Sequence, residues 1–374
     1  MRILLLHNRY RSLGGEERAI GDIFDLLTSR GHTVELLERL SSEVGRGRAA
    51  RSLLAGGVDP DEVGAAVRRL GADVVHAHNL HPLFGWRALA AARAEGARTV
   101  LHIHNFRLFC AIGVAYRDGA PCHRCRGRNT LPGLRLRCRG SAVEAVVYAA
   151  GLYRQQPRLF DHSDQFVVLS AAHGARLREL GLPGDKTTLL ANFVPESQVV
   201  SRSAAGDGRY GLAAGRLVEE KGFDTAIVAA RAAAMPLVIA GAGPDEQRLR
   251  RIAAGADVRF MGQLSDGELS EVRRGAAVSL VPSRSEEALP YAVLDAFASG
   301  VPVLGSDRGG VAELLGAEGA LNPDDPEAWA SALRELWVSP GRREQLGAAG
   351  LQRARDQLGE DRYYEDLMRI YSGG

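Results

Sequence analysis

Short apolar runs alternate with amphipathic helical patterns along the whole chain. The runs lack polar alternation and are bounded by Gly, Asp or helical segments, which is typical of buried parallel strands. Twelve segments fit this pattern: residues 2–7, 33–38, 73–78, 99–104, 165–170, 187–192, 210–215, 236–241, 257–262, 277–282, 301–306 and 319–323. They predict an α/β protein built from doubly wound parallel sheets.

The chain has 374 residues, more than one compact core ordinarily supports, so we expect two domains. Residues 196–209, ESQVVSRSAAGDGR, are small and polar, as in a linker. We therefore predict two Rossmann-like domains, 1–196 and 208–356, that face each other across a ligand-binding cleft. Residues 357–374 are predicted to form a C-terminal helix that can cross back onto the first domain.

Composition and charge narrow the class of protein. With 45% hydrophobic and 25% charged residues and a net charge of +2, the chain has no general attraction to nucleic acid or membranes. The apolar run at the N-terminus ends after Leu6, which is short for a signal peptide. We expect a cytoplasmic protein that can touch the inner membrane face. Lysine occurs only at Lys186 and Lys221, so each lysine is of interest.

Glycines follow several predicted strands. Gly14 and Gly15 precede a helical segment, where backbone N–H groups can approach a donor phosphate; a glycine turn without a ligand is the alternative. Gly241 and Gly243 lack the third glycine of a dinucleotide fingerprint and fit a turn with close backbone approach, although Gly241 remains a donor-binding candidate.

Two cations, Arg216 and Lys221, follow the strand predicted at 210–215. They form a candidate diphosphate site, since a hydrogen bond to a charged group contributes about 1.5–3 kcal/mol. A salt bridge to Glu219 or Glu220 is the alternative.

Two acids, Glu287 and Asp295, lie eight residues apart in SEEALPYAVLDAFASG (285–300). Because Pro290 excludes one continuous helix, we expect a loop that ends in a helix start near Tyr291. There Glu287 and backbone N–H groups can hold a sugar hydroxyl, while Asp295 can accept hydrogen bonds from a ribose. Surface acids near a helix N-terminus are the alternative.

The cysteines are confined to one segment, at Cys110, Cys122, Cys125 and Cys138. The C-x2-C pair with a cysteine on either side is a candidate structural zinc site, with His102, His104 and His123 as alternative ligands. Thiols without a metal and a disulfide are the other interpretations.

The same segment is rich in arginine. These residues suit an acceptor-side patch for a phosphate, a lipid pyrophosphate or anionic headgroups, and a solvated surface is the alternative; they are Arg124, Arg126, Arg128, Arg135, Arg137 and Arg139. Nucleic acid is not expected, because aromatic residues are not interleaved with them.

Several segments together resemble a known family. AGRLVEEKG, IAGAGP, MGQL and PSRSEEALPYAVLDAFASGVPVLGSDRGGVAE resemble the C-terminal domain of family 4 retaining glycosyltransferases of the GT-B fold. LHNRYRSLGGEE, GHTVELL, DVVHAHNLHPL and LHIHNFRLFC resemble the N-terminal domain of a bacterial subgroup common in polysaccharide and secondary-metabolite pathways. The resemblance covers essentially the whole chain.

The resemblance implies transfer of a hexose from a nucleotide diphosphate sugar to an acceptor hydroxyl, with retained configuration and no required metal. UDP is expected before GDP, and the acceptor is expected to be a lipid-linked saccharide or a small molecule. By this resemblance Arg216 and Lys221 would neutralise the leaving diphosphate, and the backbone at Gly15 would contact its phosphates. Glu287 and the backbone of Leu289, Pro290 and Tyr291 would bind the donor sugar. Asp295 would bind the ribose, the turn after Gly262 would contact the base, and His104 would lie over the sugar on the acceptor side.

The chain departs from the family pattern at the donor loop. The family usually has Glu in place of Asp295, and glycine, an aromatic residue and glycine in place of Ala288, Leu289 and Pro290. Two alternatives therefore stay open: a nucleotide-sugar epimerase of the same fold and a non-catalytic sugar-nucleotide-binding protein. A nicotinamide dehydrogenase is disfavoured, because no G-x-G-x-x-G follows the first strand.

Overall fold

The computed structural model of the protein describes residues 1–9, 14–317 and 319–373. Its strands are β1 (Arg2–Arg9), β2 (Thr33–Leu40), β3 (Val74–Ala77), β4 (Arg98–Ile103), β5 (Tyr116–Arg117), β6 (Ala120–Pro121), β7 (Gln165–Val168), β8 (Thr187–Leu189), β9 (Tyr210–Ala214), β10 (Leu237–Ala240), β11 (Val258–Gly262), β12 (Ala276–Val281), β13 (Val303–Ser306) and β14 (Ala320–Leu321). All twelve predicted strands are confirmed.

The α-helices alternate with these strands. They are α1 (Gly15–Ser29), α2 (Arg46–Ala55), α3 (Pro60–Leu70), α4 (Gly85–Ala94), α5 (Leu131–Arg135), α6 (Ala142–Asp161), α7 (Ala171–Leu180), α8 (Phe223–Ala232), α9 (Glu246–Ile252), α10 (Asp266–Arg274), α11 (Tyr291–Ala298), α12 (Gly309–Leu315), α13 (Pro326–Val338), α14 (Pro340–Gln357) and α15 (Glu360–Ser372). Short 3-10 helices occur at Glu196–Gln198, Ala205–Asp207 and Glu219–Lys221. No helix in the described part of the chain combines the length and the apolar character needed to cross a membrane.

The chain forms two compact units. The first comprises Met1–Ala115, Cys122–Ala191 and Tyr364–Gly374, and the second comprises Tyr116–Pro121 and Asn192–Tyr363. Helix α15 therefore begins in the second unit and ends in the first. Within the first unit the hydroxyl of Tyr371 lies 2.7 Å from Nδ1 of His76, which ties the end of this helix to β3.

Each unit is built on a six-stranded, fully parallel sheet. The strand order is β2-β1-β3-β4-β7-β8 in the first unit and β11-β10-β9-β12-β13-β14 in the second. The order reverses beside β1 in the first sheet and between β9 and β12 in the second. Ligands of doubly wound sheets bind at the carboxyl edge at such reversals, so the loops after β9 and β12 are the first place to look for a site.

Both sheets are covered on both faces. Residues 3–6 of β1 are all fully buried, and so is nearly every side chain of β12. This burial explains why the strands lack alternation, since neither face of the sheet meets water. Around the second sheet Trp329 is fully buried, and its indole N–H donates to the carbonyl of Asn322 at 2.9 Å.

A small antiparallel hairpin, β5–β6, is absent from the predicted strands. Its turn consists of Asp118 and Gly119, whose φ angles are +52° and +79°. An Asp-Gly pair with two positive φ angles is the signal of a tight hairpin turn, so this sequence signal was available. The two-residue strands are too short to produce a hydrophobic pattern.

Gly241, directly after β10, packs closely against the backbone of Gly215, and a substitution there tests this contact. Its φ is +137°, and a Cβ atom there would lie 1.9 Å from the carbonyl oxygen of Gly215. Gly262 also has a positive φ, +70°, but a Cβ atom there would meet nothing within 4 Å. We expect Gly241→Ala to lower the free energy of unfolding by about 3 kcal/mol and Gly262→Ala by about 1 kcal/mol. Urea denaturation of both variants measures the difference, and equal losses would contradict the close approach.

Candidate active site

The loops at the strand-order reversal of the second unit bring Lys221 and Glu287 together. Lys221 ends the 3-10 helix after β9, and Glu287 lies in the loop between β12 and α11. Nζ of Lys221 lies 2.5 Å from Oε1 of Glu287, and the Ser283 hydroxyl donates to the same oxygen at 2.6 Å. Two residues separated by 66 positions in the sequence thus form an ion pair at the predicted edge of the sheet.

The charge of Glu287 is fixed by its neighbours. Burial acts to raise the pKa of its carboxyl, but the ammonium of Lys221, the hydroxyl of Ser283 and the more distant Arg216 together hold that pKa below its ordinary value. The carboxylate is therefore ionised at neutral pH and can accept hydrogen bonds but not donate them.

Arg216 follows the same strand, and its side chain is more exposed to solvent than that of Lys221. Its side chain is 54% exposed, and Nη2 lies 3.5 Å from Oε1 of Glu220. This is the alternative salt bridge that the sequence suggested. An exposed pair of this kind contributes little to stability, so it does not prevent the guanidinium from meeting a ligand.

The loop after Glu287 is held by backbone packing. The N–H of Gly310 donates to the carbonyl of Glu287 at 2.7 Å, and a Cβ atom at Gly310 would lie 2.3 Å from the carbonyl oxygen of Ala288. The side chains of Leu289 and Pro290 are buried, and Pro290 immediately precedes the first residue of α11, Tyr291. Contacts from this loop to a ligand would therefore come from its backbone.

A network of arginines and aspartates stabilises the same loop, and the sequence analysis missed it. Arg284 pairs with Asp224 at 2.8 Å and with Asp324 at 3.2 Å, and Arg308 pairs with Asp324 at 2.6 Å. Nη1 of Arg308 also donates to the carbonyl of Arg284 at 2.7 Å. Although burial raises the pKa of Asp224, Arg284 and Arg248 hold it below its ordinary value. The partners are distant in sequence, so no spacing reveals them.

Asp295 is placed one helical turn into α11, as predicted, but it has a partner there. Oδ2 of Asp295 lies 3.1 Å from Nη2 of Arg273, and both side chains are less than a tenth exposed. Arg273 stands in the last turn of α10 and was not among the residues that the sequence singled out. The ribose-binding role of Asp295 stays a prediction, and a ribose would have to share the carboxylate with Arg273.

The start of α1 in the first unit is less open to phosphate than predicted. The N–H of Gly14 donates to the Glu17 carboxylate at 2.8 Å, and Gly15 is followed by two acids, Glu16 and Glu17. The phosphate-binding role of Gly14 and Gly15 stays a prediction, and a phosphate would have to compete with Glu17 for the N–H of Gly14. The preceding residues of this loop, 10–13, lie outside the described part of the chain.

A buried ladder of histidines runs along β3 and β4. Nδ1 of His78 lies 2.9 Å from Nε2 of His104, and Nδ1 of His102 lies 3.3 Å from Nε2 of His76. Rings of neighbouring positions stack, with 4.3 Å between the centroids of His102 and His104. Ligand atoms of His76, His78 and His102 lie within 4.8 Å of one another. Hydrogen bonds between ring nitrogens account for this close approach. The sequence pointed to His102 and His104 as alternative metal ligands and to His104 as an acceptor-side group, but not to His76 or His78.

His104 lines a pocket of the first unit that also has apolar walls, formed in part by Leu101 and Leu159. Glu16, Asn105 and Arg107 line the same pocket. Burial first, and then the neighbouring histidines, lower the pKa of His104 to about 3. The imidazole is therefore neutral at physiological pH and can offer either a donor or an acceptor to a ligand.

The four cysteines are half-buried and form no disulfide. Burial, with a contribution from the other three thiols, raises the pKa of Cys125 to about 11. Zinc would require their sulfur atoms within about 4 Å of one another. Among the described residues the metal-ligand group within 4.8 Å is the histidine group, not the cysteines. The structural zinc stays a prediction that requires these side chains to turn toward a common centre.

Two Rossmann-like units, with a cation and a carboxylate at the strand-order reversal of the second, define a protein of the GT-B class. Family models support a narrower assignment. Residues 14–192 match the model described as glycosyl transferase 4-like domain, and residues 208–339 match glycosyl transferases group 1. These matches cover most of the chain, and the chain belongs to glycosyltransferase family 4. The resemblance seen in the sequence is confirmed.

Individual relatives agree with this assignment. The putative colanic acid biosynthesis glycosyltransferase WcaL of Salmonella typhimurium is 29% identical over 215 residues, 52% of each chain. The match thus spans about half the length of that relative. Sucrose-phosphate synthase from Thermosynechococcus elongatus has a similar fold, with a TM-score of 0.72 at 18% identity over 99% of this chain and 98% of that chain. HepE of Anabaena, solved with UDP-glucose, gives a TM-score of 0.66 at 15% identity over 100% and 99% of the chains.

The Lys221–Glu287 pair makes a prediction about pH. Lys221→Met leaves the Glu287 carboxylate buried without its cation, so we expect the free energy of unfolding at pH 7 to fall by about 2 kcal/mol. Because the pKa of folded Glu287 lies below its unfolded value, the contribution of the pair is present above the unfolded pKa and is lost as pH falls through the folded pKa. The loss should therefore be smaller at pH 4 than at pH 7.

The other lysine provides a matched control. Nζ of Lys186 donates to the backbone carbonyls of Phe160 and Ser163 at 3.4 and 3.2 Å. Lys186→Met should therefore cost a similar amount at both pH values. Urea denaturation at pH 4 and pH 7 measures both variants, and a Lys221→Met loss that does not depend on pH would contradict the pairing.

Proposed function

We propose that the protein is a retaining glycosyltransferase that moves a hexose from a nucleotide diphosphate sugar, with UDP before GDP, to an acceptor hydroxyl. The observation that carries this proposal is the pairing of Lys221 with Glu287 at the strand-order reversal of the second unit. The fold shared with HepE, which was solved with UDP-glucose, supports a nucleotide-sugar donor. The relatives are named as glycosyltransferases, which does not favour a nucleotide-sugar epimerase or a non-catalytic sugar-nucleotide-binding protein.

The cations Lys221 and Arg216 are proposed to bind the diphosphate. The diphosphate gains negative charge as the bond from the anomeric carbon to its oxygen breaks, so fixed positive charge stabilises the transition state more than the bound donor. Arg216 is half exposed and can turn toward a ligand, whereas Lys221 is preorganised by Glu287.

Glu287 is proposed to hold the donor sugar. As an ionised carboxylate it accepts hydrogen bonds from sugar hydroxyls, and the backbone of Leu289, Pro290 and Tyr291 adds further contacts. Pro290 has no N–H, so one donor is missing from this loop. We propose that Asp295 accepts hydrogen bonds from the ribose hydroxyls and that the turn at Gly262 contacts the base. Gly241 is proposed to let the backbone approach the donor closely.

The transfer itself is proposed to occur on one face of the sugar. The acceptor oxygen forms a bond to the anomeric carbon as the bond to the diphosphate oxygen breaks, and the acceptor proton moves to that departing oxygen. No protein nucleophile takes part. The first unit supplies His104 as a neutral acceptor-side group, and the acceptor is a lipid-linked saccharide or a small molecule. The cytoplasmic location expected from the sequence stays a prediction.

Thermal stabilisation by a panel of UDP-, GDP-, ADP- and TDP-sugars tests the proposal. A donor at a hundredfold excess over its Kd stabilises the folded state by about 2.7 kcal/mol. We expect one nucleotide, UDP first, to raise the Tm of the wild-type protein and of Lys186→Ala but not of Lys221→Ala. Turnover by Lys221→Ala should fall about 100- to 1000-fold. If no nucleotide sugar raises the Tm with or without acceptors present, the proposed donor site is wrong.

The neutral state of His104 makes a separate prediction about the pH dependence of turnover. Because the pKa of His104 is lowered to about 3, its protonation should not affect kcat/KM between pH 5 and pH 8. A pH–rate profile of the wild-type protein measures this. An inflection in kcat/KM near pH 6.5 that disappears in His104→Gln would contradict the neutral state of His104.

A further inference from the structure

The outward face of α6 is apolar where a surface helix is normally polar. Val143, Val146 and Tyr153 are 75%, 50% and 50% exposed. Their spacings of three and seven residues place them on one side of the helix, while Ala145, Leu152 and neighbours on the other side are buried. Three large apolar side chains in one stripe leave this helix face without a covering element in the described chain.

The neighbouring helix α5 extends the apolar stripe. Leu131 is 54% exposed, and the hydroxyl of the adjacent Thr130 donates to the carbonyl of Ala149 in α6 at 3.2 Å. The guanidinium of Arg128 lies 3.8 Å from the centre of the Tyr153 ring, and its Nε donates to the Tyr153 carbonyl at 3.1 Å. Arginine and apolar side chains therefore meet on the same surface.

The chain segments that carry this stripe and pack against it are rich in positive charge. Residues 119–160 contain eight arginines and one acid, Glu144. Residues 44–58, which include α2, contain three arginines and no acid. Helix α2 packs on α6, where Nε2 of Gln155 donates to the carbonyl of Leu53 at 2.5 Å. Arg46 of α2 lies 3.7 Å from Glu144, so even the one acid is partly neutralised.

We propose that this surface docks on an anionic lipid bilayer. We call it the basic apolar surface and define it by Leu131, Val143, Val146 and Tyr153 together with the arginines of residues 44–58 and 119–160. Aliphatic side chains can enter the boundary between headgroups and acyl chains, tyrosine suits that boundary, and arginines meet the lipid phosphates.

Charge and side-chain type together select this occupant. An anionic membrane attracts basic surface segments within a Debye length, and the exposed aliphatic residues then add a short-range apolar contact. Nucleic acid would attract the same arginines but would give no reason for exposed valines at 143 and 146. The surface lies within one unit, so the proposal does not depend on the donor site.

Cosedimentation with vesicles tests the proposal without donor or acceptor. We expect the wild-type protein to bind vesicles of 30% phosphatidylglycerol in phosphatidylcholine at least tenfold more tightly than pure phosphatidylcholine vesicles. Binding should weaken when NaCl is raised from 0.1 M to 0.5 M, because salt screens the arginines. Val143→Ser/Val146→Ser and Arg124→Gln/Arg135→Gln should each reduce the affinity at least tenfold.

Matched variants separate the surface from general effects. Val338 is 71% exposed at the end of α13, so Val338→Ser removes an equally exposed valine outside the surface. Arg202→Gln/Arg259→Gln removes two exposed arginines of the second unit. Both controls should bind like the wild type, and unchanged circular dichroism and Tm should confirm that every variant folds.

Three outcomes would overturn the proposal. The first is equal binding of the wild type to neutral and anionic vesicles, or no binding to either. The second is that the Val143→Ser/Val146→Ser variant binds anionic vesicles as tightly as the wild type. The third is sedimentation showing that the face instead joins two copies of the chain, with a dimer that the same variant disrupts.

Discussion

Parallel strands impose the constraint on which the rest of this structure depends. Every strand of a parallel sheet ends at the same edge, and its connection must return across a covered face before the next strand begins. Both sheets are therefore buried on both sides, and the polar residues that follow the strands collect at one edge of each unit. Lys221 and Glu287 meet for this reason, although 66 positions separate them. The histidines of β3 and β4 converge for the same reason.

Burying polar groups at these edges requires compensation, and the two units achieve it differently. In the second unit Glu287 is paired with Lys221, Asp295 with Arg273, and Asp224 with Arg284. The neighbouring cations hold the pKa values of Glu287 and Asp224 below their ordinary values, so these two carboxylates keep their charge. In the first unit the imidazoles lose their charge instead, because burial lowers their pKa values. Fixed charge suits binding of an anionic leaving group, whereas neutral imidazoles suit hydrogen bonds to hydroxyls.

The sequence predicted the elements better than the contacts. All twelve principal strands and the positions of Lys221 and Glu287 follow from local pattern, since strand length, glycine and charge at strand ends are written in consecutive residues. Arg273 could not be predicted as the partner of Asp295, because α10 and α11 are brought together by packing that no spacing records. The N–H of Gly14, a candidate phosphate donor, donates to Glu17, a local contact that the acid three residues later could have indicated. Gly309 and Gly310, at the start of α12, allow the backbone of residues 286–288 to pack closely, a contact that no local pattern records.

Helix α6, in the segment between β4 and β7, is buried along one side only. Its own apolar cluster consists of Leu53, Ala111, Tyr148 and Leu152, with Cys138 packed against it. The main core of the unit also holds α6, through Leu159 and the adjacent Phe160, and the buried residues of the helix all lie on one side. The helix could have carried polar residues on the other side at no cost to that cluster, and lysine or glutamate would have favoured helix formation there. Apolar side chains at 143, 146 and 153 are therefore not required by the fold. The proposed docking on an anionic bilayer accounts for their presence among arginines.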